Sequence, residues 1–210
     1  MLNLMRKAID LDRSPLLWQA TFTPELLEKE WQIRSGIWRV EDGWLTGKNP
    51  LNEPGMIIAR DDFPGNVLLD FEARTVLPST HDIDVMWNGS WDELIDQRGT
   101  AYVAGIEGWW EGKVGIEKSP DYTLTAATPL FDFTPGATYH VQCGSIDGHC
   151  FIFVDGKLLL ELTDPHPIDA QRHAKIGFEA YCSFIQIRNL QVRQIVWEAR
   201  EMGYMAEFAE

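Results

Sequence analysis

Apolar and polar positions alternate along this chain in short runs, and most runs end at a turn-forming pair. In VLLDFEARTV, Val67 to Val76, Leu69, Phe71, Ala73 and Thr75 fall on one face and Asp70, Glu72 and Arg74 on the other. The next run, HDIDVMWN, sets Ile83, Val85 and Trp87 against Asp82, Asp84, Met86 and Asn88. From Ile37, IWRVEDGWLTG predicts a hairpin whose turn is centred on Asp42-Gly43. Tyr139 to Leu162 holds two more Asp-Gly pairs, and these predict a three-stranded meander. The type I′ turn that such pairs favour needs positive φ at both central residues. Two-residue loops pair Ile146 with His149 and Val154 with Lys157, which places Phe151, Phe153, Leu158, Leu160 and Leu162 on one core face. AKIGFEAY and SFIQIRNLQVRQI predict a closing hairpin around Cys182-Ser183. Helix is expected only near Pro24 to Glu30, where Thr23 can cap it, and from Gln194 to Met205. Many short strands without a βαβ pattern predict an all-β, two-sheet antiparallel jelly-roll sandwich with short peripheral helices.

With 210 residues and 45% hydrophobic content, the chain has enough apolar material for one sizeable core. No linker or repeat divides it, so one domain is expected over 1–210, with 194–210 a tail or short helix. Eighteen basic residues stand against 32 acidic ones, a net charge of -14, without a basic run. Nucleic acid and anionic membrane surfaces are therefore excluded as partners by repulsion. No apolar run is long enough to span a bilayer. Cys143, Cys150 and Cys182, an odd number without CxxC spacing, read as buried free thiols. The N-terminal run lacks an apolar stretch followed by a small-residue cleavage site, so a native start here predicts a cytoplasmic protein. Nine tryptophans suit either a sandwich core or a sugar-stacking cleft.

The second half carries an ordered set of features: DIDVMWNG, then GIEGWWEGKVGIEKSPD, TPGATYHV, the FVDGK hairpin and the closing KIGFEAYCSFIQIRNLQV. Over roughly Trp18 to Val192 this resembles the concanavalin A-like lectin/glucanase superfamily. Within it the chain looks most like the bacterial 3-keto-glycoside hydrolase and related rhamnogalacturonan-operon proteins. Arg188-Asn189-Leu190 stands where such relatives commonly read Asp-Asn-Leu, and no strand carries the Glu-x-Asp-x-x-Glu glucanase signature. The resemblance implies a carbohydrate ligand and activity on glycosides, including those oxidised at sugar C3. A C3 ketone acidifies the C2 proton, so cleavage can run by elimination and hydration. That route needs a general base, a general acid and often a metal.

Candidate chemistry gathers in two constellations. If the two alternating strands neighbour each other on a concave sheet, Asp70, Glu72 and Arg74 converge with Asp82, Asp84 and Asn88. Glu72, Asp82 and Asp84 are then candidate acid/base groups, with Arg74 holding an oxyanion or a carboxylate. The alternative is a merely solvated sheet face. His81, Asp82 and Asp84 also form a candidate ligand set for a divalent metal, provided that other residues complete the shell. The second constellation is Trp87, Asn88, Trp91, Trp109, Trp110, Glu111 and Lys113. Its indoles offer faces to pyranose C–H groups, its polar side chains reach hydroxyls, and Glu111 is a further acid/base candidate. His140, Glu179 and Tyr181 are additional candidates for lining the cleft. Three readings follow: a glycoside-cleaving or sugar-modifying enzyme (hydrolase, lyase or hydratase), a non-catalytic carbohydrate-binding protein, and a structural or interaction domain. The sequence fits a monomer or a homo-oligomer equally.

Overall fold

A computed structural model describes residues 1–108, 112–129 and 132–201. Two antiparallel sheets face each other. One has seven strands, in the spatial order Thr125–Pro129, Lys113–Ser119, Ala101–Ile106, Ile83–Gly89, Lys175–Tyr181, Pro54–Ala59 and Trp31–Ile33. The order in the other is Lys157–Thr163, His149–Val154, Tyr139–Ile146, Val67–Thr75, Phe184–Gln194, Trp44–Lys48 and Ile37–Glu41, and Leu16–Gln19 also pairs with Phe184–Gln194. The predicted all-β sandwich is the observed architecture. The one helix among the described residues, Pro24–Glu30, begins at Thr23, whose hydroxyl accepts from the Leu26 N–H.

Apolar residues from both sheets close the main core. Phe71 meets Phe178 edge-on across the layers at 5.2 Å, and Phe178 stacks on Trp31 at 6.0 Å. The Asp-Gly turns are as expected: Asp42, Asp147 and Asp155 all have positive φ, and Glu41 pairs with Trp44, Ile146 with His149 and Val154 with Lys157. Close backbone approach makes Gly144 essential, because a Cβ there would lie 2.0 Å from the Val67 carbonyl oxygen. Backbone cannot yield as a side chain can. Gly144→Ala is expected to cost about 3 kcal/mol or more, read as a lower urea midpoint.

Four expectations are corrected. The meander's apolar stripe splits at a bulge between Ile152 and Phe153. A one-residue shift exchanges the faces. Phe151, Phe153 and Leu158 therefore pack with Leu2, Leu4, Ile9 and Ile195 in a second cluster, while Leu160 and Leu162 pack against the main core. Lys175–Tyr181 and Phe184–Gln194 do not form a hairpin. The chain turns at Cys182 (φ 51°) and crosses between sheets, so that Phe178 and Ile187 both point into the core. Val67–Thr75 and Ile83–Gly89 likewise belong to opposite sheets. Finally, the described part of the expected C-terminal helix holds a strand, Trp197–Ala199, paired with Lys7–Ile9. Buried Ile195 anchors it to the second cluster.

Candidate active site

The seven-stranded sheet sets its outer face by strict alternation. Ile83, Val85 and Trp87 enter the core, so Asp84 and Met86 point outward. Asp84 lies opposite Glu179 on one neighbouring strand and Gly105 on the other, and Gly105 lies opposite Gly115. Two glycines in this row contribute no side chains, so it stays open beside Asp84. Glu117 sits one outward position further along its strand, opposite Val103. Asp82 adopts a left-handed backbone (φ 75°), sparsely populated for a non-glycine residue, and its Oδ2 accepts from the Tyr181 N–H at 3.2 Å. The Asp82 carboxyl is close enough for its charge to act on Asp84. Adding a Cβ at Gly108 would bring it 2.9 Å from Asp82 Oδ1 and 3.3 Å from Asp84 Oδ1.

Arg98 arrives on a short hairpin, Trp91–Asp92 with Gln97–Arg98. Its guanidinium donates to Glu179, lies 3.6 Å from Glu117 and donates through Nε to Ser119 Oγ at 3.2 Å. Asp82, Asp84, Arg98, Glu117 and Glu179 line a cleft of about 470 Å³ with Tyr122 and Tyr181. Tyr122 is 54% exposed and also left-handed (φ 52°). A second cavity of about 500 Å³ shares Pro54, Arg98 and Tyr122 with this cleft and adds Trp91. A third, about 460 Å³, shares Asp82 and Tyr181 and adds His81, Glu107 and Gly108.

Burial dominates the electrostatics. It pushes Asp84 well above the usual carboxylate range, and the nearby Asp82 and Glu179 charges add to the rise. Burial, followed by the Glu179 charge, pushes Asp82 up to about 7. Glu179 is also raised by burial, against the pull of Arg98. For Arg98, burial opposes the charge, but Glu179, Tyr122, Glu117 and Asp84 hold it in place. Asp84 Oδ1 is buried and has no hydrogen-bond partner among the described residues. Near neutral pH the site thus offers a protonated carboxyl beside one that titrates, which is the arrangement general acid–base chemistry requires.

Of the residues singled out in the sequence, the cleft brings together Asp82, Asp84, Glu179 and Tyr181. Trp91 lines the adjoining cavity beneath Arg34, whose guanidinium lies 4.9 Å from the ring centroid, and its Nε1 donates to Asp96. Lys113, half-buried opposite Pro129, does not line the cleft. Trp109, Trp110 and Glu111 lie outside the described residues. Trp87 is fully buried in the core against Tyr102, because its strand position points inward, and so it cannot stack on a ligand. Asn88 is a tie between sheets: its amide donates to the Gly65 carbonyl and its oxygen accepts from Ser145. Among the described residues no group of three or more His, Cys, Asp or Glu side chains is placed to hold a metal, and Arg98 occupies Glu179 and Glu117.

The expected convergence of Glu72 and Arg74 with Asp84 fails because the chain changes sheets between them. They line the outer face of the eight-stranded sheet. Glu72 accepts from Arg188 Nε at 2.7 Å and Asn189 at 2.9 Å, and these bonds overcome burial to hold it below its usual range. Arg74 and Arg188 each lie 4.2 Å from the Trp44 ring centroid. His140 meets Asp70 at 2.7 Å beside a cavity of about 540 Å³. Here the described side chains largely satisfy one another.

Sequence reading missed Arg98, Glu117 and Tyr122. Glu117 was detectable, since Val114 and Ile116 alternate with it. Arg98 and Tyr122 lie in stretches without periodicity.

No family model matches this sequence, and no curated protein matches it. Solved structures do. A Bacillus subtilis protein of unknown function with a galectin-like fold aligns at TM-score 0.67 and 15% identity, covering 86% of this chain and 96% of that one. An endo-β-1,3-glucanase from Pyrococcus furiosus aligns at 0.62 and 12%, covering 87% and 95%. The carbohydrate-binding module CBM66 from Bacillus subtilis aligns at 0.60 and 11%, covering 79% and 96%. Identities this low speak to fold alone: this chain shares a two-sheet antiparallel sandwich with all three.

Proposed function

We propose that the outer cleft of the seven-stranded sheet binds a sugar and that Asp82 and Asp84 perform acid–base chemistry on a glycoside there. The observation that carries this reading is the buried Asp82–Asp84 pair on the cleft floor, with one oxygen lacking a donor among the described residues. The glucanase and carbohydrate-binding module among the fold neighbours support a carbohydrate ligand. Ionised Asp82 can take a proton from carbon or water, and neutral Asp84 can give one to a leaving oxygen. On a 3-keto glycoside, Asp82 would remove the C2 proton, the electron pair passing through the enolate to expel the C1 oxygen. Asp84 protonates that oxygen, and water then adds across the new double bond. Turnover of a panel of 3-keto and ordinary glycosides tests the reading; no turnover on any of them would overturn the catalytic part.

The resemblance to CBM66 supports a second reading, sugar binding without catalysis. Tyr122→Ala separates ligand stacking from proton transfer. An exposed ring at the cleft mouth binds ground and transition states about equally. The variant is expected to raise KM several-fold with kcat nearly unchanged, as read by steady-state kinetics.

A further inference from the structure

We infer that the cleft selects uncharged glycans: the sugar unit seated over Asp84 carries no carboxylate, sulfate or phosphate, and uronates are rejected. The inference rests on the sugar-binding reading above and adds the class of sugar. Four acids, Asp82, Asp84, Glu117 and Glu179, line the cleft, and among the described residues Arg98 is its single cationic lining residue. Arg98 is not available to an incoming anion. Its nitrogens are engaged with Glu179, Glu117 and Ser119, and its side chain is only 10% exposed. Drawing it onto a uronate would strip the cation from buried Glu179, and a buried carboxylate without its partner is strongly disfavoured.

Hydrogen bonding points the same way. Asp84 Oδ1 has no partner among the described residues. A sugar hydroxyl both donates and accepts, so it matches the carboxyl pair in either protonation state, whereas an ionised uronate carboxylate only accepts. Of the adjoining cavities, the one lined by His81, Asp82 and Glu107 repeats the sign, while in the other Glu53 and Asp96 stand with Arg98 and near Arg34. The chain's net charge of -14 adds a longer-ranged repulsion that salt screens.

The test is calorimetric binding of the full chain to a glycan panel built from matched pairs. Each pair is a uronate oligosaccharide and its carboxyl-reduced counterpart, and ordinary neutral oligosaccharides complete the set. Binding is measured at pH 5 and pH 8. Uronates stay ionised at both values, whereas Asp82, pushed up to about 7, is charged mainly at the higher one. The reduced member of each binding pair is expected to bind at least ~10-fold tighter at pH 8, since like charges a few ångströms apart in a partly buried site repel by more than that factor. The preference should shrink at pH 5. Glu117→Gln should narrow it at pH 8. A uronate that binds as tightly as its reduced partner at pH 8 would overturn the inference and leave the sugar-binding reading standing. Failure of every glycan to bind would instead overturn that reading and the inference with it.

Discussion

Asp84→Asn is expected to lower glycoside turnover by about 10²–10⁴-fold while making the folded protein more stable at alkaline pH. Asparagine keeps the shape of the side chain but can neither give nor take the proton at the cleft floor. The stability effect follows from linkage. Asp82 rises from an ordinary value of 3.8 to about 7, and Asp84 is raised well above 3.8. A group whose folded pKa is raised contributes fully below its unfolded value and loses that contribution as pH climbs through the folded one. The wild-type protein should therefore weaken between about pH 4 and somewhat above pH 7. The variant lacks one of the two ionisations and should weaken less. Thermal melts at pH 5 and pH 8.5 check this, and the gap in Tm between variant and wild type should widen at the higher pH. A pH-independent gap would contradict a buried carboxyl pair with raised pKa values. Unchanged turnover would remove Asp84 from the chemistry.

Arg98→Ala carries the second large effect. The guanidinium holds the charge of Glu179, which is almost wholly buried, and it lies near Glu117, which is also buried. Removing one member of a buried pair leaves the other uncompensated, at about 3–5 kcal/mol. For a chain of this size that is a fall in Tm of roughly 6–20 °C. The loss should be greatest above neutrality and shrink toward pH 4, where protonated carboxyls no longer need the cation. Arg98→Lys should recover only part of it, because an ammonium cannot reproduce the fork that reaches Glu179, Glu117 and Ser119 together. Melting curves of the three proteins across pH 4–8 measure it.

Local signals in the sequence were enough for strands, turns and the short helix, because alternation and Asp-Gly pairs act over a few residues. Thr23, Asp42-Gly43 and the two meander turns all behave as their chemistry dictates. Sheet membership was not legible. Nothing in VLLDFEARTV or HDIDVMWN states that the chain crosses the core between them, and that crossing separates Glu72 from Asp84. The bulge at Ile152/Phe153 was equally invisible, since the apolar run reads the same with or without it. Alternation did place Trp87 on the inward side, but its grouping with the neighbouring tryptophans as a sugar platform overrode that signal. Asp82 and Asp84 were recognised on one run and Glu179 on another, yet their meeting depends on Lys175–Tyr181 lying beside Ile83–Gly89, a long-range pairing. Arg98, which organises these acids, comes from a stretch with no pattern at all.

Two faces compete for the ligand, and a crystal structure of the protein with the tightest-binding neutral oligosaccharide from the glycan panel distinguishes them. The account predicts a sugar hydroxyl within hydrogen-bonding distance of Asp84 Oδ1 and a pyranose face against Tyr122. A sugar seated instead beside Glu72, His140 and Asn189, on the outer face of the eight-stranded sheet, would contradict it.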